Sequence, residues 1–194
     1  MEKVINLGIP HIGEKIFENI DTPGLFECAL VSETWETLAH NVLLKRWNAR
    51  SVNGRTAFMT ACIYGHKNVV KLFLDHSVDK NIDLNAKDSN GLTAFMLTCE
   101  IGFTSIMQLF LDYSDRNIDL NRRSRSGWTA FMEACRYGRT EVVKLILDHP
   151  NRNIDLNTRD GNGWTALMLA YRYGCNDVAT LIVDYSTERN IDLK

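Results

Sequence analysis

The chain has 194 residues, of which 45% are hydrophobic and 24% charged, with a net charge of −2. That composition suits one or two compact units, and the near-neutral balance argues against a nucleic-acid partner. No apolar run approaches the roughly 18 residues of a membrane span and the N-terminal stretch lacks the apolar core of a secretory signal, so no membrane partner is expected.

In chain order, the first predicted element lies in residues 9–20. Ile9, Ile12, Ile16 and Ile20 recur at helical spacing with Phe17 beside them, and Pro10 suits a first helical turn. Asp21-Thr22-Pro23-Gly24 breaks the chain. Leu25, Cys28 and Ala29 then share a second helical face, and Ser32 caps a third whose inner side carries Trp35, Leu38, Ala39 and Val42. Three short helices within residues 9–47 form a unit too small to bury its faces without a neighbour. Residues 1–47 hold four Lys/Arg against seven Asp/Glu; residues 48–194 hold eighteen against seventeen.

From residue 48 a different pattern begins and returns three times. Thr56, Thr93, Thr129 and Thr165 each open Thr-Ala-Phe-Met or Thr-Ala-Leu-Met, at spacings of 37, 36 and 36. Asn48, Asn85, Asn121 and Asn157 stand eight residues before them, and Gly65, Gly102, Gly138 and Gly174 nine after. The apolar sets Val69/Val70/Leu72/Leu74, Ile106/Met107/Leu109/Leu111, Val142/Val143/Leu145/Leu147 and Val178/Ala179/Leu181/Val183 follow, then Asn-Ile-Asp-Leu. A fixed period in this range predicts stacked turn–helix–turn–helix units, each burying its apolar face on the next. The threonine hydroxyls are predicted helix caps, and the paired glycines serve the tight turns and the helix ends. Trp47-Asn48-Ala49-Arg50 is in phase with Leu84-Asn85-Ala86-Lys87, so the third N-terminal helix is expected to fill the slot of a preceding repeat's second helix.

Phase also weighs against tempting chemistries. Cys62, Cys99 and Cys135 occupy one position of successive repeats, as do Asp75, Asp112, Asp148 and Asp184. Stacked helices stand about 8–10 Å apart, too far to share a zinc ion. His76 and His149 share another phase, with the same outcome. Five cysteines without a Cys-x-x-Cys pair fit a reducing cytoplasmic or nuclear compartment. No phosphate loop, nucleophile elbow or zinc-protease motif is present in the sequence, so neither enzyme activity nor a metal or cofactor is expected.

Positions that vary between repeats suggest where a partner binds. Before each threonine stand Arg55, Leu92, Trp128 and Trp164, and before each helix-ending glycine Tyr64, Ile101, Tyr137 and Tyr173. Arg136 and Arg172 precede the last two, and the third turn adds Arg122, Arg123 and Arg125. Trp, Tyr and Arg dominate binding hot spots, and this set would suit an acidic or phosphorylated partner segment. The final Ile191-Asp192-Leu193 begins another turn, which suggests a truncated array or an end that pairs with another molecule.

Two resemblances follow from these residues. NGWTALMLAYRYG and GRTEVVKLILD resemble ankyrin repeats, giving four at 48–84, 85–120, 121–156 and 157–193. Departures are Thr-Ala-Phe-Met for the family's Thr-Pro-Leu-His, and a period about three residues longer than the usual ~33, expected in the second helix or the finger base. IPHIGEKIFENIDTPGLFECALVSETW is similar to an F-box, with Leu30-Val31-Ser32 and Trp35 its clearest part. It departs at Ile9, Gly13 and Ile20. The fold implied is an all-α ankyrin solenoid (48–194) capped by an N-terminal three-helix F-box-like module (1–47). The function implied is a substrate-recognition adaptor of a Skp–cullin–F-box ubiquitin ligase. Ile9, Pro10, Ile12, Ile16, Phe17, Leu25, Leu30, Val31 and Trp35 would dock a Skp-type adaptor, and the concave face of the repeats would hold the substrate. The alternative is an ankyrin scaffold whose N-terminal helices only cap the array.

Overall fold

The computed structural model describes residues 50–78, 81–113, 118–149 and 154–194. The expectations for residues 1–47, the three helices and the adaptor-docking set among them, lie outside the described residues. The chain divides into two compact units, Met1–Asp83 and Leu84–Lys194.

All regular structure among the described residues is helical. The first unit contributes α1 (Ala57–Ile63) and α2 (Lys67–Asp75). The second contributes α3 (Ala94–Ile101), α4 (Thr104–Asp112), α5 (Ala130–Arg136), α6 (Thr140–Asp148), α7 (Ala166–Arg172) and α8 (Asn176–Glu188). In the second unit α3, α5 and α7 pack side by side as one layer, with α4, α6 and α8 as the other.

Each first helix starts where the repeated threonine dictates. Thr56, Thr93, Thr129 and Thr165 are extended, and their hydroxyls accept the N–H of Met59, Met96, Met132 and Met168. Ahead of each threonine runs a closed turn. Its first side chain (Ser51, Asp88, Ser124 or Asp160) accepts the N–H four residues on, which fixes the chain direction into the helix. Neighbouring turns of the second unit then bond to each other: Arg125 N–H donates to the Asn90 carbonyl at 3.1 Å, and Gly161 N–H to the Ser126 carbonyl at 3.0 Å. Glycine is required beside these bonds. Gly127 has φ 80°, and a Cβ there would stand 2.8 Å from the Gly161 nitrogen.

α2 and α6 bury a face spaced i, i+1, i+4 and i+5, with Val69, Val70, Phe73 and Leu74 in α2 and Val142, Val143, Ile146 and Leu147 in α6, while α4 also buries Leu109 at i+3. This corrects the sequence reading, which placed Leu72 and Leu145 in that set; both are half-buried. The 3.6-residue period explains the difference, because positions 73 and 146 lie a full turn beyond 69 and 142. Phe73 and Phe110 meet Phe58 and Phe95 of the paired first helix, with ring centroids 5.7 and 5.4 Å apart. α2, α4 and α6 are nine residues each, so the extra length of the repeat falls after them and not in an extended helix. α8 alone runs to thirteen.

The recurring Asn-Ile-Asp-Leu is a strut. Its Ile and Leu side chains bury at Ile82, Leu84, Ile118 and Leu120. Asn85 Oδ1 accepts the Asp119 N–H at 2.8 Å. Asn157 likewise donates to the Asp192 carbonyl and accepts from the Lys194 N–H, both at 2.7 Å. Cys62, Cys99 and Cys135 are buried, as their phase suggested, and form no disulfide. Burial pushes the Cys99 and Cys135 thiols well above their ordinary range, which makes them packing groups.

Candidate protein-binding face

The face at issue is formed by the ends of the first helices and the residues around them. In the second unit these come from α3, α5 and α7. Thr129 starts α5 with Trp128 immediately outside the helix, and seven residues later the helix ends at Arg136 with Tyr137 as its cap. Tyr173 caps α7 in the same way.

Arg136 joins these elements. Its guanidinium carbon lies 4.8 Å from the ring centroid of Trp128, 4.9 Å from that of Tyr137 and 5.1 Å from that of Tyr173. Three ring faces from two repeats therefore surround one cation. Each such contact contributes about 0.5–1 kcal/mol at a partly exposed site. One repeat on, Arg172 lies 4.9 Å over Trp164. A guanidinium stacked flat on a ring keeps its N–H edge free of that ring, and this edge matches a carboxylate or phosphate.

Other candidate residues are placed differently. Arg122 pairs with Asp119 at 3.4 Å. Arg123 is built into the turns: its Nε donates to the Gly127 carbonyl at 3.0 Å, and its terminal nitrogen to the carbonyl of Arg159 in the next turn. Arg125 is exposed, and its backbone N–H makes the turn-to-turn bond. Leu92 and Ile101 are half-buried. In the first unit Arg55 is half-buried, and Tyr64 is exposed with its ring 6.2 Å from His66.

Glu133 and Arg139, not singled out in the sequence, join this cluster together with Glu100, which stands at the position of Arg136 one repeat earlier. Glu133 lies one turn before Arg136 and Tyr137 on the same helical face and is buried. Burial, with repulsion from Glu100, pushes its carboxyl up to about 7, and Arg136 opposes the shift. Partial burial and the Glu100 carboxylate raise the Tyr137 phenol above its ordinary value. Arg139 crosses Gly102, where a Cβ would meet its Cδ at 2.7 Å, and donates from Nε to the Glu100 carbonyl at 2.9 Å. Glu133 carries a signal in the sequence, since the same position elsewhere holds Thr60, Leu97 and Leu169.

A family model described as "Ankyrin repeats (3 copies)" matches residues 32–124, 80–160 and 117–194. The chain belongs to the ankyrin-repeat family. Ankyrin repeats are protein–protein interaction modules and are generally not enzymes, so the stacked Arg–aromatic face is read as one that meets a protein. The first match begins at residue 32, inside the predicted third N-terminal helix. No curated protein matches the chain. Among the described residues, no helix is long and apolar enough to cross a membrane, and no three or more His, Cys, Asp or Glu side chains are arranged to hold a metal ion.

Proposed function

We propose that the chain is a non-catalytic recognition subunit whose third and fourth repeats grip an acidic or phosphorylated segment of a protein. The observation that carries this is the placement of Arg136 among Trp128, Tyr137 and Tyr173, with Arg172 repeated over Trp164. Stacking fixes both guanidinium groups before the partner arrives, which lowers the ordering cost of binding. Residues 9–35, by their F-box resemblance, would deliver that partner to the Skp-type adaptor of a cullin–RING ubiquitin ligase in the cytoplasm or nucleus. Ile9 and Pro10 would lead the docking set.

A second reading has one observation in its favour. The ankyrin match already includes residues 32–47, so the N-terminal helices would be a divergent cap on a scaffold with no ligase role. Two measurements on the intact chain separate the readings. Affinity capture of partners, repeated with Arg136→Gln/Arg172→Gln, should lose the proteins bound through acidic segments; an unchanged set sinks the grip. Pull-down with a Skp-type adaptor should succeed and fail again on Ile9→Asp/Pro10→Asp. Equal, background-level capture by both chains establishes the scaffold.

A further inference from the structure

The third turn, residues 121–128, reads Asn-Arg-Arg-Ser-Arg-Ser-Gly-Trp, with three arginines and no acidic residue. The turns on either side hold one base followed by one aspartate. Both aspartates face inward: Asp88 and Asp160 are 6% exposed, and each Oδ1 accepts the N–H groups two and four residues on. The bases, Lys87 and Arg159, are exposed. In the third turn a neutral Ser124 takes the place of the aspartate. Arg122 pairs with Asp119 at 3.4 Å, but among the described residues Arg123, Arg125 and Arg159 have no carboxylate within ion-pair distance. Arg123 is committed to the carbonyls of Gly127 and Arg159, which are neutral, so its charge persists beside Arg159. Arg159 is anchored to the Gly163 carbonyl at 2.7 Å. Arg125 lies across the preceding turn, where a Cβ on Gly91 would stand 3.1 Å from its Cγ. Trp128 closes the third turn and carries Arg136 over its ring at 4.8 Å, so this cationic surface adjoins the grip.

We propose that Arg125 and Arg159 form a second anion-binding row beside Arg136 and Arg172, and that the partner is an extended acidic stretch of protein with an anionic group at about every third residue. The inference rests on the reading of the Arg136–Arg172 face as a protein-binding surface, and it specifies what that surface binds. Guanidinium groups with no carboxylate of their own are the ones an incoming carboxylate or phosphate can pair with. The spacing follows from the repeat. Arg136 and Arg172 share one phase, and Arg123 and Arg159 another, each 36 residues apart. Stacked repeats stand about 8–10 Å apart. Extended chain covers roughly 3.3 Å per residue, so three residues span one repeat. Three residues of helix rise only about 4.5 Å and fall short. Nucleic acid suits the molecule less well, because its net charge of −2 would oppose the approach of a long polyanion.

The test uses the intact chain and two labelled peptides of one composition, serine and glycine with three aspartates. One carries an aspartate at every third position and the other carries them side by side. Fluorescence anisotropy at low ionic strength should show the spaced peptide binding about fivefold more tightly; equal affinities overturn the proposed spacing. Arg125→Gln/Arg159→Gln should weaken binding of the spaced peptide about tenfold. Arg125→Lys/Arg159→Lys keeps the charge and should stay within about threefold of the native chain. A loss with lysine as large as with glutamine would trace the effect to the fold of the turns and overturn the second row. Loss in Arg136→Gln/Arg172→Gln with none in Arg125→Gln/Arg159→Gln also overturns the second row and leaves the grip standing. The opposite pattern overturns the grip and keeps the row, and indifference to both changes overturns both. A single-stranded oligothymidylate that binds more tightly than either peptide, and is lost with Arg125→Gln/Arg159→Gln, would assign the surface to nucleic acid and overturn the proposal.

Discussion

At the scale of the residue, Glu133 is where this chain departs furthest from its own repeat. In the other repeats that position holds Thr60, Leu97 or Leu169, side chains that bury at little cost. A carboxylate there must lose its hydration, and its pKa rises from 4.5 to about 7 as a result. The sign of the stability effect follows from proton uptake. Between pH 4.5 and about 7 the folded chain holds a proton on Glu133 that the unfolded chain has released, so stability falls as pH rises through this window. Glu133→Gln removes the ionisable group and keeps the shape. It should raise unfolding stability at pH 8 by on the order of 1–3 kcal/mol, with far less effect at pH 4. Urea unfolding of both proteins at the two pH values checks this; an equal gain at both would mean that the carboxylate is not the cause.

At the scale of the element, the turns as well as the helices bind one repeat of the second unit to the next. Carbonyl-to-amide bonds pass from Asn90 to Arg125 and from Ser126 to Gly161, and Arg123 reaches from its own turn to the next. Gly127 and Gly163 share a left-handed backbone, at φ 80° and 83°, but differ in surroundings. A Cβ on Gly127 meets the Gly161 nitrogen at 2.8 Å, whereas one on Gly163 meets nothing within 4 Å. Gly163→Ala should therefore cost about 1 kcal/mol, the strain of the conformation alone. Gly127→Ala adds a clash with main chain that no rotamer relieves and should cost about 2–4 kcal/mol. Comparing the two by thermal or urea unfolding isolates the turn-to-turn contact, and equal losses would deny it any stabilising role. In the sequence these glycines read only as turn formers. Arg123 read as an exposed charge available to a partner, because a bond to a neighbouring turn leaves no mark on local pattern.

At the scale of the molecule, what was legible is what recurs. Threonine caps, glycine turns and the buried face of the second helices appear four times at one phase, so their physical roles could be read from spacing. The Arg–aromatic pairing was foreseeable as composition, but the closure of Trp128, Tyr137 and Tyr173 on Arg136 depends on two repeats being stacked. The same stacking sets a gradient of burial within the second unit. α5 is packed on both sides, by α3 and α7, and its Met132 and Cys135 are 1% and 0% exposed. Their counterparts on α7, Met168 and Tyr171, are 36% and 58% exposed. Stability in a repeat array sums over neighbour interfaces, so a helix with a bare side opens at lower cost. Amide hydrogen exchange on the intact chain should therefore be slower in α5 than in α7, by an order of magnitude or more for the residues facing Met132 and Met168. Equal protection of the two helices in a demonstrated monomer would contradict this gradient. Protection of α7 that rises with protein concentration would instead show its Met168–Tyr171 side covered by a second copy of the chain.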